Sequence, residues 1–139
     1  VKLSPNVTDI TQFAVRAEEI GADAISAVNT LLGMKIDIKK RKPHFSNKVA
    51  GLSGPAIKPV AVRIVYQIYS KVRIPIIGMG GISSIDDVIE FMMAGASAVS
   101  IGTANMIEPS VSEKLVSELE KYLADESFSS IDELIGAAH

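Results

Sequence analysis

The sequence predicts an α/β domain of four repeated strand–helix units, the C-terminal half of a (βα)8 TIM barrel. Three observations predict it. Apolar runs of strand length alternate four times with segments of helical periodicity. The strand-like runs are continuously apolar, as in parallel strands covered on both faces. The segments after the strands are polar or glycine-rich, while those before them are terse: Gly21-Ala22-Asp23, Val72-Arg73 and Gly95-Ala96-Ser97. That asymmetry fits barrels, whose chemistry gathers at the C-terminal ends of the strands, and four units are half of a fold of ~250 residues. The competing architecture is a small open doubly wound sheet. No Gly-x-Gly-x-x-Gly follows the first strand, so the dinucleotide fingerprint is missing there.

Val1–Leu3 reads as a short strand closed by Ser4-Pro5-Asn6. A helix follows from about Thr8, with Ile10, Phe13, Ala14, Ala17 and Ile20 on one face. Thr8 or Asp9 can cap it and Gly21 ends it. Ala24–Val28 is the second strand. Leu31 to Ala50 has no periodicity, and Gly51-Leu52-Ser53-Gly54-Pro55 is a turn. The second helix begins near Pro59, a residue suited to a first turn, with Val60, Ile64, Ile68 and Val72 in register. Ile74–Ile77 is the third strand, ending in Gly78-Met79-Gly80-Gly81. Ser83 or Ser84 caps the third helix, with Ile85, Val88, Ile89 and Met92 inward and Gly95 at its end. Ala98–Ile101 is the fourth strand, closed by Gly102-Thr103. The fourth helix runs from about Ser110, with Ser110 and Glu113 as a capping box, and a last short helix starts at Ser130 with Glu133 completing a second box. Gly21–Ser26 (GADAIS) is echoed by Gly95–Ser100 (GASAVS), so the chain reads as two βαβα pairs of common design.

Composition bounds the function. A chain of 139 residues is about one domain, and 47% hydrophobic residues suffice for a core. With no cysteine, the chain has no disulfide, thiol nucleophile or Cys-based metal site. A net charge of −2 and 5% aromatic residues argue against nucleic-acid binding. No apolar run approaches the ~18 residues of a membrane span, and no signal segment opens the chain. A cytoplasmic protein is expected. Because the sequence opens directly in a strand, residues 1–139 read as one domain that is a piece of a longer chain, with 31–50 as an insertion loop.

Several residues could carry chemistry. Lys2 lies in an apolar strand, where it is either a rim lysine reaching water or a charge facing an anionic ligand. Glycine-rich turns follow the last two strands, at Gly78–Gly81 and Gly102-Thr103. Such turns let backbone amides approach a phosphate, and barrels commonly place a phosphate site there; the alternative is two tight turns needing positive φ. Asn29-Thr30 closes the second strand and offers donors and acceptors to a planar polar ligand, or is plain turn chemistry. Lys35, Lys39, Lys40, Arg41, Lys42 and Lys48 crowd one stretch, opposed only by Asp37; this is a solvated excursion, or a lid or docking patch. The acid-rich tail from Glu108 reads as a solvated helical face, and Met92-Met93 as core. His44 and His139 have no ligating neighbour at metal spacing, so no metal is assigned.

Assembled, these stretches resemble the C-terminal half of a class 1 dihydroorotate dehydrogenase, more narrowly the catalytic subunit of the NAD-linked 1B type. The matching motifs are Val1–Ile10 (VKLSPNVTDI), Val28–Met34 (VNTLLGM), Gly51–Pro59 (GLSGPAIKP), Pro75–Ile82 (PIIGMGGI), Gly95–Val99 (GASAV) and Gly102-Thr103. They span essentially the whole chain. Ala50 departs from the glycine the family commonly carries there. The resemblance implies a flavoprotein that oxidises dihydroorotate to orotate in pyrimidine biosynthesis, with FMN as cofactor. It implies that Lys2 contacts the flavin ring near N1 and O2, where a positive charge stabilises the reduced flavin, and that Val28 and Gly54 also bind FMN. Gly80, Gly81, Gly102 and Thr103 would sit at its phosphate end, while Asn29 and Thr30 would hydrogen-bond the pyrimidine. The catalytic base of the 1B type is a cysteine on a loop of the barrel's first half, so no catalytic base is expected within these residues and the piece alone should be inactive. The implied partners are dihydroorotate and orotate, and an electron-transfer subunit carrying FAD and a 2Fe–2S cluster that passes electrons to NAD. A homo-oligomer is also expected, because strands Val1–Leu3 and Ala98–Ile101 would leave open edges. Two readings stay open beside this one: a dihydropyrimidine dehydrogenase-like flavin domain, and a non-redox phosphate-binding half-barrel.

Overall fold

The computed structural model describes residues 1–139. In chain order the elements are β1 (Lys2–Leu3), α1 (Thr11–Glu19), β2 (Ile25–Ala27), β3 (Leu31–Met34), β4 (Ile36–Asp37), β5 (Lys42–Pro43) and β6 (Val49–Leu52). A 3-10 turn at Pro55–Ile57 leads into α2 (Lys58–Tyr69), followed by β7 (Ile76–Met79), α3 (Ile85–Met93), β8 (Ala98–Ser100), α4 (Thr103–Ile107), α5 (Val111–Asp125) and a closing 3-10 turn at Ile131–Glu133. Strands β1, β2, β7 and β8 form one sheet in that order, and every pairing is parallel. The alternation of apolar runs and helical periods thus yields an α/β fold with a parallel sheet. Helices α1, α2, α3 and α5 contact one another in succession.

Register explains which residues are covered. Leu3 pairs with Ala27, Ala27 with Gly78 and Gly78 with Val99, so these residues share one face with Ile25 and Ile76. Except for the half-buried Val99, all are buried, and Ile64, Ile68 and Phe91 join them in a single core. Each large side chain buried there contributes about 1.5–3 kcal/mol relative to exposure. Gly78 is a glycine because α3 lies close: a Cβ there would stand 2.6 Å from the Phe91 ring and 3.0 Å from Ala96 Cβ. The other face carries Lys2, Ser26, Ile77, Met79, Ala98 and Ser100. None of these is buried, and Lys2, Ala98 and Ser100 are exposed. The sequence reading had both faces covered; within this chain only one is.

The helices begin and end for local reasons. Ser84 caps α3 with a reciprocal box: its hydroxyl accepts the Asp87 N–H, and the Asp87 carboxylate accepts the Ser84 N–H. Ser130 and Glu133 form the box expected of them. Ser110 does not: it precedes α5 in helical conformation and its side chain makes no capping bond. Helix α1 starts three residues later than the sequence suggests. Its buried stripe is Ala14 and Ala17, preceded by Ile10, while Phe13 and Ile20 are 54% and 67% exposed. Gly21 and Gly95 both take positive φ, +90° and +113°, and both turn a helix end into a strand, so the echoed segments are echoed in structure.

The stretch read as aperiodic is an arm of two antiparallel ribbons. Strand β3 pairs with β6, Leu31 opposite Leu52 and Met34 opposite Val49, and β4 pairs with β5 beyond them. The Gly51-Leu52 end of the predicted turn therefore belongs to a strand. The basic residues of the arm are exposed or half-exposed, and so are Leu32, Met34, Ile36, Ile38 and Phe45.

Candidate functional site

The C-terminal ends of all four parallel strands open into one cavity of about 330 Å³. The ladder runs on past the strands, since Val28 N–H donates to the Met79 carbonyl and Asn29 N–H to the Leu3 carbonyl, both at 2.9 Å. These bonds bring Val28, Asn29 and Thr30 to the rim beside Lys2. From the other strands come Gly80-Gly81 and Gly102-Thr103, and the turn after β6 supplies Gly54. All nine residues singled out in the sequence line this cavity: Lys2, Val28, Asn29, Thr30, Gly54, Gly80, Gly81, Gly102 and Thr103.

Several groups of the lining residues have no partner inside the chain. Lys2 takes part in none of the ion pairs. Asn29 Oδ1 accepts the Thr30 N–H at 2.8 Å, which leaves the side-chain NH2 available. The backbone N–H groups of Gly80, Gly81, Ile82 and Gly102 make no hydrogen bond. Thr103 Oγ1 donates to Ser53 Oγ at 3.0 Å and ties the turn after β8 to the turn after β6.

The glycines of the cavity differ in what they need. At Gly81 φ is +84°, and a Cβ would stand 2.8 Å from the Gly54 carbonyl oxygen and 2.9 Å from the Lys58 amide nitrogen, so the protein itself excludes a side chain. At Gly102 φ is −108° and a Cβ would meet nothing within 4 Å. No protein atom explains the missing side chain there. It leaves open space against an unpaired amide, which is what close approach by an anionic group requires. By this observation the residues fit a phosphate-bearing cofactor.

Behind the glycine turn lies a group that sequence reading missed. Lys58 Nζ contacts Asp87 Oδ1 at 2.8 Å and Glu90 Oε2 at 2.6 Å. Asp87 Oδ2 accepts the Ser83 N–H (2.8 Å), the Ser83 hydroxyl (3.1 Å) and the Ser84 N–H (3.0 Å). Burial pushes the Asp87 pKa up, but the Lys58 ammonium and the serine donors outweigh it and hold the carboxyl at about 2. The Asp87 and Glu90 carboxylates hold Lys58 well above the ordinary lysine range. The capping serines of α3 do not lend their amides to a ligand, because Asp87 already takes the N–H groups of Ser83 and Ser84. The free amides are those of the preceding turn. Spacing gave no sign of the Lys58–Asp87 pair, whose members lie on different helices; the acidic first turn of α3 was the only cue. Ser53, Met79, Ser100, Met106 and Ile107 also line the cavity and were not singled out.

Comparison with known proteins adds a separate line. The model of a family described as dihydroorotate dehydrogenase matches residues 1–123. The chain is 56% identical over 139 residues to the "Dihydroorotate dehydrogenase B (NAD(+)), catalytic subunit" of Desulforamulus reducens, covering 100% of this chain and 46% of that protein. Proteins of the same description from Parabacteroides distasonis and Caldicellulosiruptor bescii are 57% and 58% identical over 137 residues, covering 99% of this chain and 45% and 46% of theirs. The chain spans about half the length of the curated relatives it matches.

Proposed function

The chain belongs to the dihydroorotate dehydrogenase family, and on that premise we propose that it forms the FMN-binding C-terminal half of a (βα)8 barrel that oxidises dihydroorotate to orotate in pyrimidine biosynthesis. Sequential strand order, wholly parallel pairing and a succession of contacting helices support the barrel. One observation carries the site: residues from four strand ends and the turn after β6 converge on a single cavity in which a lysine and several backbone amides lack partners.

Bound FMN would supply the hydride acceptor of the reaction. The chain's own residues divide the remaining work. Lys2 places positive charge where the reduced ring carries negative charge, a stabilisation that grows as the reaction proceeds. Gly80, Gly81 and Gly102 present amides to the phosphate, Thr103 fixes their turn against Ser53, and Val28 and Gly54 shape the walls. Asn29 and Thr30 hold the polar edge of the pyrimidine. The base that removes the substrate proton comes from outside these residues, which include no cysteine. A partner subunit carrying FAD and a 2Fe–2S cluster would relay electrons to NAD, and the enzyme would work in the cytoplasm as a homo-oligomer.

The test is flavin analysis of the full-length protein. Heat-released cofactor should be FMN at about one per chain, and anaerobic dihydroorotate should bleach it. A colourless protein that neither retains FMN nor oxidises dihydroorotate would overturn the reading.

A further inference from the structure

Two walls of the cavity meet behind the glycine turn. One is the segment Gly54–Ile57, which leads into α2. The other is Gly80–Ser83, which leads through Ser84 into α3. Lys58 is the first residue of α2 and Asp87 lies in the first turn of α3, and their side chains join at 2.8 Å. Gly81 sits between the walls, with the Gly54 carbonyl and the Lys58 amide occupying the space that a Cβ there would need. Neither Lys58 nor Asp87 lines the cavity.

We propose that the Lys58–Asp87 ion pair is a strut that sets the spacing of these two walls and steers the cofactor's phosphate onto the amides of Gly80, Gly81, Ile82 and Gly102. This rests on the flavin reading above. Lys58 and Asp87 are positioning residues, acting through the turn. The strut works in two ways. Geometrically, Asp87 grips Ser83 and Ser84 with one oxygen and Lys58 with the other, so the turn and the start of α2 are held by one carboxylate. Electrostatically, Lys58 offsets the buried Asp87 carboxylate, with the more exposed Glu90 as its second partner at 2.6 Å, and so lessens the repulsion that an anion would meet at the adjacent turn. Because Asp87 occupies the Ser83 and Ser84 amides, the phosphate is directed to the turn rather than to the helix end.

The experiment compares FMN with riboflavin, which has the same ring and no phosphate. Full-length protein is stripped of flavin and titrated with each, following flavin fluorescence, for wild type and the variants K58M, K58R, D87N and D87E. In K58M, which breaks the strut and leaves Asp87 and Glu90 uncompensated, FMN affinity should fall roughly 10–100-fold, as for supports one shell out from a bound group, while riboflavin affinity changes less than about threefold; D87N breaks the strut but also removes the repelling charge, so its loss should be smaller and equally selective for FMN. K58R keeps the charge and should restore most of the FMN affinity. D87E keeps both charges and lengthens the strut by one methylene; it should lose FMN affinity selectively even if K58M does not fold. Equal losses for FMN and riboflavin would show a merely structural pair and overturn the inference. So would variants indistinguishable from wild type. A wild-type protein that binds FMN no better than riboflavin would instead overturn the phosphate site itself, and the strut with it.

Discussion

The two faces of the parallel sheet are made by alternate residues of the same strands, yet they solve different problems. On one face Leu3, Ile25, Ala27, Ile76 and Gly78 lie buried against the helices. On the other, Lys2, Ser26, Ile77, Met79, Ala98 and Ser100 remain open, and Lys2, Met79 and Ser100 line the cavity. The first face spends its residues on packing and meets all its needs within the chain. The second mixes Lys2, Ser26 and Ser100 with Ile77, Met79 and Ala98, and is left uncovered within this chain. A shift of one residue in register would exchange the two. Stability and ligand binding should therefore separate by face, and four measurements can break or sharpen that division.

The largest effect belongs to the covered face. Phe91→Ala removes the ring that fills the space over Gly78, and should lower unfolding free energy by about 3–5 kcal/mol in urea titration. Folded molecules should still bind FMN normally. Next comes the open face. Lys2→Ala should slow flavin reduction by dihydroorotate on the order of 10²-fold in stopped flow. As a surface change it should leave stability within about 0.5 kcal/mol. Loss of stability at Lys2, or of FMN affinity at Phe91, would contradict the division.

The third measurement probes a seam between packing and binding. Asp87 has its pKa depressed to about 2 in the fold, against an ordinary value of 3.8. Its contribution is therefore fully present above pH 5 and lost as pH falls from about 4 to 2. The loss should be about 2 kcal/mol, read as a drop in urea midpoint between pH 6 and pH 2 that D87N flattens. The smallest effect separates two glycines. Gly102→Ala should weaken FMN binding roughly tenfold, about 1.4 kcal/mol, with an unchanged thermal midpoint. Gly81→Ala should lose FMN and stability together, because its Cβ would meet protein.

How much of this was legible depended on how local the signal was. The four strands and most helix limits followed from period and caps, because each is encoded within a dozen residues. Phe13 and Ile20 were misread since they continue the apolar period of α1 at its margins, where no neighbouring element arrives to cover them. The arm was missed because ladders such as Leu31–Met34 with Val49–Leu52 lack strict alternation, and their partners lie across a loop of unrelated composition. Helix α4 has five residues, too few for a period. At the site, residues carried by short motifs all fall in the cavity. The Lys58–Asp87 pair does not show in any motif, because only the meeting of α2 and α3 creates it.

The arm has a consequence of its own. Its root strands both open into the cavity: Thr30 directly precedes β3, and Ser53 and Gly54 directly follow β6. Asn6 fastens one root, accepting the Leu32 N–H at 2.9 Å and donating to the Thr30 carbonyl at 3.0 Å. The ribbon is thus continuous with two walls of the cavity. A partner that gripped its far end and shifted those walls would change ligand affinity, and the ligand would change that partner's affinity by the same factor.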